Sequence, residues 1–175
     1  MQAWENEREQ RILFEQRSSI NAFNIIVQEF NKYGKIKIKD LKFEYFEVDH
    51  KPVKYAYGFN FHHKKKKITI SGDTRPCNNL MKFAQKTDLL LHEVFIEDEI
   101  KPLKGMRSKK TLHNVKNYHT TSTDVGKVAK ISQAKKLVLT HFVPPQFNEK
   151  KLIFKIKKDY KKKLIIGKDL LKIKV

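Results

Sequence analysis

One cysteine, Cys77, stands in 175 residues, so no disulfide framework is open to this chain and a reducing compartment, the cytoplasm, is its natural setting. No apolar run approaches the roughly 18 residues that a membrane-spanning helix needs, so no membrane partner is expected. The opening Met1-Gln2-Ala3-Trp4-Glu5-Asn6-Glu7 is polar and acidic, without the basic-then-apolar order of a secretory leader. Neither an internal repeat nor a flexible linker is evident. Arginine is scarce, and histidine is absent before His50. Cys77 itself has no helix end or base beside it, so it reads as a small buried residue rather than a nucleophile.

A hydrophobic fraction of 39% with 11% aromatics excludes a disordered chain, and the length suits a single domain with a real core. Lysine and arginine number 38 against 19 acids, giving a formal charge of +19 that points to a polyanionic partner. The lysines fall in scattered clusters, among them Lys64 to Lys67, Lys109-Lys110 and Lys161 to Lys163. Arginine is the better phosphate fork. A solvated lysine surface and a nucleic-acid groove are therefore both open readings.

The stretch Ile68-Thr69-Ile70-Ser71-Gly72-Asp73-Thr74-Arg75-Pro76-Cys77 organises the rest. A short β-branched run ends at a glycine and a lone carboxylate, which delivers Asp73 to the end of a strand. An acid in that place is a turn former, a cap or a ligand. Before it, residues 3 to 31 read as helical, with Ile12, Leu13, Ile20, Phe23, Ile26, Val27 and Phe30 at helical spacing and a break near Arg17-Ser18-Ser19. Ile36, Ile38, Leu41, Phe43, Tyr45 and Val48 alternate with a change of phase at Asp40, giving one bulged strand or two strands. Tyr55 to Phe61 and Ile68 to Ser71 form a hairpin whose polar turn is His62 to Lys67, so His62 and His63 are left out of any site.

Beyond Asp73, a short helix over 79–86 precedes the apolar strand Asp88 to Val94, which ends in His92-Glu93. Residues 97 to 118 read as a charged loop containing His113. Tyr118 to Asp124 opens a helix that runs to about Gln133, with hydroxyls and Asp124 for its cap. Leu137 to Phe142 is a buried strand ending at His141. A helix over Glu149 to Tyr160 and strands at Leu164 to Gly167 and Leu170 to Val175 close the chain. Strands alternating with helices define an α/β layered fold. In such folds chemistry collects beyond the carboxyl ends of strands, and four of those ends carry His50, Asp73, His92-Glu93 and His141, with His119 at a helix start. Imidazole and carboxylate together suit zinc and similar divalent ions, although a single histidine at a strand end is usually structural.

The order His50-Lys51-Pro52-Val53, Ser71-Gly72-Asp73-Thr74-Arg75-Pro76, Asp88-Leu89-Leu90-Leu91-His92-Glu93, His119-Thr120-Thr121 and Leu139-Thr140-His141-Phe142-Val143-Pro144 resembles the metallo-β-lactamase fold hydrolases. It is most similar to the branch that holds ribonuclease Z and the arylsulfatase-like enzymes, with the motifs running from about residue 41 to the end. The resemblance implies an αββα sandwich in which 1–34 is a helical lead-in to a family-matching region over 35–175. It implies Asp73 as the carboxylate bridging two metal ions, and His50 and His141 as ligands of one ion each. His119 would assist the leaving group and Glu93 would orient it, with His92 and Thr74 supporting from behind. The implied cofactor is zinc, two ions in a complete site, with manganese or iron as alternatives. The implied chemistry is ester cleavage by a metal-activated hydroxide with a proton donated by an oriented imidazole.

Two departures bear on this. The family's His-x-His-x-Asp-His signature, which supplies ligands to both ions, belongs N-terminal to His50 and is absent. The chain therefore resembles the C-terminal half of the fold, an incomplete sandwich with an apolar sheet face, a fragment or truncated relative to be completed by an N-terminal half or by a second copy. In addition, the interval between His50 and Asp73 is a plain hairpin where ribonuclease Z enzymes typically carry a long tRNA-gripping arm. The plain hairpin and the Thr140-His141-Phe142-Val143-Pro144 ending, which resembles that of the arylsulfatase-like enzymes, favour a small sulfate or phosphate ester as substrate, while the positive charge pulls the other way. Processing of tRNA 3′ ends is the alternative, and a catalytically inactive half that only binds a partner is the third reading.

Overall fold

The structure, a computed structural model, describes residues 2–16, 27, 29 and 31–175. Two compact units divide the chain, Met1–Phe30 and Asn31–Val175. In the first, helix α1 (Gln2–Glu9) continues as a π-helical turn over Gln10–Phe14. Arg11 donates to Glu7 at 2.8 Å and to Glu15 at 3.0 Å, one turn to either side. Gln16 takes a left-handed φ of 50°, and Val27, Glu29 and Asn31 lie in neither helix nor strand. The helix expected over 3–31 thus stops at Phe14. Its part on 17–26, 28 and 30, including Ile20, Phe23, Ile26 and Phe30, lies outside the described residues.

The second unit is built on one sheet, with seven strands among the described residues: β1 (Tyr33–Ile38), β2 (Leu41–Glu47), β3 (Tyr57–His63), β4 (Lys66–Ile70), β5 (Leu89–Phe95), β6 (Lys136–Val143) and β7 (Lys163–Ile166), in that spatial order. The first four are antiparallel and β4 to β7 are parallel. Of the two readings for 36–48, the structure takes two strands, joined by Lys39-Asp40 with Lys39 at φ 54°. Helix α2 (Asn78–Phe83) crosses from β4 to β5, α3 (Lys109–Lys116) and α4 (Val125–Ile131) from β5 to β6, and α5 (Glu149–Lys157) from β6 to β7.

Leu80 and Ala84, Val125, Val128 and Ala129, and Leu152 and Ile156 pack with Phe46, Leu90, Val94, Leu137 and Leu139 into one core on one face of the sheet. Leu80, Leu90, Leu137 and Leu139 are fully buried, each adding about 1.5–3 kcal/mol of transfer free energy. The opposite face, by register, carries Phe61, Ile68, Ile70, Leu89, Leu91 and Val138. The unit is α/β, and its single sheet with one helical layer is half of the αββα sandwich.

Several local expectations change. His62 and His63 continue β3 rather than forming its turn, because they pair with Lys67 and Lys66. They face Glu44 and Asp40 at 3.0 and 2.6 Å, at the sheet edge opposite Asp73. The charged loop over 97–118 contains α3, which Ser108 caps by accepting the Thr111 N–H at 3.0 Å. Only Leu112 and Val115 of that helix are even half-buried, which is why no apolar period signalled it. Residues 170–175 alternate like a strand but join no ladder, and Leu170 sits at φ 62°.

Candidate functional site

The parallel strands bring their carboxyl ends to one edge, and the chain there is shaped by three local devices. After β4 the backbone turns at Gly72, φ 63°, where a Cβ would run into the Tyr57 carbonyl oxygen. That turn presents Asp73. In β6 the register with β5 shifts at Glu93/Val94, so that His141 is the extra residue of a bulge and holds a left-handed φ of 44°. A bulge re-aims a side chain, and here it sets His141 Nδ1 3.6 Å from Asp73 Oδ1. After α3, Tyr118 and His119 run straight into the Thr120-Thr121 segment that precedes α4.

Glu93 joins these pieces. It is 1% exposed, and its Oε1 accepts the Thr120 N–H at 2.8 Å, the His119 Nδ1–H at 3.1 Å and the Thr74 N–H at 3.3 Å. One carboxylate oxygen thus fixes the neighbours of Asp73 and the ring of His119. Thr120 adds a hydrogen bond to the Thr74 carbonyl at 2.6 Å. A second clamp joins the His50 loop to the Asp73 loop. Arg75 donates to Asp49 Oδ2 at 2.7 Å and its N–H to the Asp49 carbonyl at 2.9 Å, while Thr74 Oγ1 donates to that carbonyl at 3.2 Å. Burial alone would raise the Asp49 carboxyl, but Arg75 and the Lys51 N–H outweigh it and hold it below the ordinary carboxylate range.

His50 Nδ1 lies 2.8 Å from the Tyr118 carbonyl oxygen. A carbonyl only accepts, so Nδ1 carries the proton and the neutral ring keeps its lone pair at Nε2, the tautomer that suits a metal ligand. The His50 and His119 rings stand 4.9 Å apart, and those of His119 and His141 5.9 Å. The structure therefore assembles His50, Asp73, Glu93, His119 and His141 at one edge with His119 between the other two rings. Thr74 stands behind them as a support. His92 is wholly buried, with Nδ1–H donating to the Glu93 carbonyl at 2.7 Å and Nε2 unpartnered among the described residues. Burial lowers its pKa and keeps it neutral. His113 is exposed, and Cys77 is half-buried with its Sγ 3.8 Å from Thr74 Oγ1. Asp49, Arg75, Tyr118 and Thr120 were not singled out from sequence. Their signal was adjacency, since each sits within two residues of His50, Asp73 or His119.

The donor set fits a divalent ion. Two ligand atoms bound tetrahedrally at about 2.1 Å stand roughly 3.4 Å apart, close to the 3.6 Å between Asp73 and His141. Among the described residues, the three-ligand group whose atoms lie within 4.8 Å of one another is Glu93, His119 and His141, and His50 and Asp73 do not belong to it. Three N–H donors already fill Glu93 Oε1, so this carboxylate is better placed to orient His119 than to bind. Its Oε2 is buried without a partner among the described residues. Beside His50 a cleft of about 980 Å³ opens between Lys51–Tyr55 and Cys77–Asn79.

No family model matches this chain. The fold it displays is the metallo-β-lactamase fold. The metallo-β-lactamase fold protein YhfI of Bacillus subtilis superposes with a TM-score of 0.60 at 19% identity, over 79% of this chain and 52% of that one. Zn2+-bound PqqB of Methylobacterium extorquens gives 0.61 at 12% identity, over 97% and 59%. In sequence the chain is similar to ribonuclease Z. It is 32% identical to that of Mycolicibacterium gilvum over 97 residues, 55% of this chain and 32% of the relative. It is 38% identical to that of Bacillus licheniformis over 74 residues, 42% of this chain and 21% of the relative. The chain thus spans about a third of the length of the curated relatives it matches.

Proposed function

We propose that this chain carries the proton-donor side and part of the metal site of a ribonuclease Z-like phosphodiesterase that acts on RNA. The observation that carries the reading is the Glu93–His119 pair set beside Asp73 and His141, in a chain whose sequence relatives are ribonucleases Z. His50, Asp73 and His141 would hold the ion, and zinc suits their nitrogen and oxygen donors. A divalent ion held there supplies an activated water at neutral pH and neutralises charge on the phosphoryl oxygens.

The chain's own part is positional. Glu93 holds the Nδ1–H of His119, so Nε2 is the atom that carries and releases a proton toward a departing oxygen. Asp73, whose Oδ1 lies 3.6 Å from His141 Nδ1, would be the bridge. Three ligands do not fill the shells of two ions, so the remaining donors come from outside the 175 residues, from an N-terminal half of the fold or a second copy. A small sulfate or phosphate ester is the second reading. It is favoured by the β3–β4 connection, a two-residue turn at Lys64-Lys65 with no added arm.

Metal content and turnover test both. The purified chain, loaded with zinc or manganese, is offered precursor tRNA, a bis-aryl phosphodiester and an aryl sulfate. Cleavage of the tRNA above the small esters supports the first reading, and the reverse order the second. His119→Ala should cut turnover with metal retained, whereas Asp73→Ala should lose metal. A chain that binds neither ion and cleaves nothing, alone or with an added N-terminal half of the fold, leaves the inactive binding subunit as the answer.

A further inference from the structure

We propose that the segment from Lys101 to Lys116 is an RNA-backbone grip that leads phosphates into the His119 site. This deepens, and rests on, the RNA reading above. The segment carries Lys101, Lys104, Arg107, Lys109, Lys110 and Lys116, and no acid occurs from Ile100 to His119. None of these six cations forms an ion pair among the described residues, and all but the half-buried Arg107 are exposed. Some lysines elsewhere are neutralised. Lys155 meets Glu97 and Asp98, Lys135 meets Asp88, and Lys127 meets Asp124. What sets this stretch apart is its place: it keeps its whole charge and runs without an acid up to Tyr118 and His119.

The segment is also shaped. Leu103 and Arg107 bridge across a turn at Gly105, φ 79°, and Arg107 Nε donates to the Lys101 carbonyl at 3.0 Å. Ser108 then caps α3, whose far end delivers Tyr118 to His50 and His119 to Glu93. Eight helical residues extend roughly 12 Å, and one strand of a nucleic acid presents a phosphate about every 3.4 Å of rise. Lys109, Lys110 and Lys116 therefore span about three or four phosphates leading to the proton donor. Lysine gives point charges with no base readout, so the grip is for backbone, not sequence.

The test compares two four-site variants of the full chain on a 3′-extended tRNA. One replaces Lys101, Lys104, Lys109 and Lys110 by alanine and spares Arg107, which holds the turn. The other replaces Lys65, Lys158, Lys161 and Lys163, exposed lysines at the opposite edge of the sheet. Binding is followed by fluorescence anisotropy from about 50 to 200 mM salt, with no turnover required. For the first variant we expect a loss of at least about tenfold at roughly 100 mM salt, and a salt slope flatter by roughly 0.7–0.9 for each phosphate no longer neutralised. The second should change little, and hydrolysis of a bis-aryl phosphodiester should be the same in all three proteins. Equal losses in both variants, no loss in the first, or a loss confined to anionic lipid vesicles overturns the grip. A wild-type chain that shows the expected difference yet cleaves nothing keeps the grip and counts only against the hydrolase reading.

Discussion

Replacing Glu93 by alanine removes the oxygen on which the N–H groups of Thr120, His119 and Thr74 converge at 2.8, 3.1 and 3.3 Å. None of the four residues is more than 7% exposed, so water does not compete for those donors in the folded chain. A hydrogen bond to a charged group contributes about 1.5–3 kcal/mol, and an orphaned buried donor costs a similar amount. The three share one acceptor and do not add, and water entering the vacated space recovers part of the loss. The expected destabilisation is about 3–5 kcal/mol, a large share of the roughly 5–15 kcal/mol that holds a domain folded. Glu93→Gln keeps an oxygen but loses its charge, and about 1–2 kcal/mol should go. Urea unfolding followed by far-UV circular dichroism measures both, with comparable m values required. Nitrogen shifts of the His119 ring supply a second readout, with the Nδ1–H tautomer kept in the glutamine variant. Should the alanine variant fail to fold, the glutamine variant carries the test. An alanine variant within about 0.5 kcal/mol of wild type, the range of an ordinary surface change, would refute the claim that Glu93 orders this edge.

Gly72→Ala puts a Cβ against the Tyr57 carbonyl at a left-handed φ of 63°. About 2–4 kcal/mol of stability should be lost, and an unchanged thermal midpoint would show that the turn can relax. His141→Gly relieves a left-handed non-glycine residue, worth about 1 kcal/mol, against roughly 0.5–1 kcal/mol of added chain entropy. Stability in urea should therefore be near wild type while zinc affinity by calorimetry falls more than about tenfold; a large destabilisation argues against the bulge as a site of strain. At Glu97, burial alone would raise the carboxyl, but Lys155, Thr123 and Ser122 outweigh it and hold it down to about 2 against an ordinary 4.5. A depressed folded-state pKa stabilises fully above 4.5 and loses that contribution as pH falls from 4.5 through 2. About 2 kcal/mol, discounted for partial exposure, should disappear over that window. Glu97→Gln should flatten the stability curve there, and an equal slope in both proteins rules the contribution out.

The parts of the site that could be read from sequence are those where chemistry sits at the end of a regular element. Asp73 follows a β-branched run, Glu93 and His141 close apolar strands, and His119 precedes a run of capping hydroxyls, so element and residue type pointed to the same edge. Harder to read were features with no period of two or 3.6. The bulge that turns His141 toward Asp73 depends on a register shift between two strands far apart in the chain. Helix α3 buries too little to show an apolar stripe, and its lysines resemble any other charge run until the fold sets Tyr118 and His119 at its far end. The tail over 170–175 failed in the opposite sense, because alternation was present but the backbone partners were not.

The same distinction separates what this chain holds by itself from what it would borrow. Among the described residues, the bonds that orient His119, Thr74 and the His50 loop run between residues of the second unit, as with Glu93 to Thr120, His119 and Thr74, Arg75 to Asp49, and His50 to Tyr118. None of these requires an ion. On the proposed reading, the proton donor is therefore set before metal or a complementary half arrives, and completion adds ligands rather than order. Adding the missing ligands in trans should then raise metal affinity and turnover steeply while leaving the His119 tautomer and the unfolding free energy conferred by Glu93 unchanged. If instead the His119 ring becomes ordered only when metal and the second half are present, the network at this edge is a product of assembly and not its template.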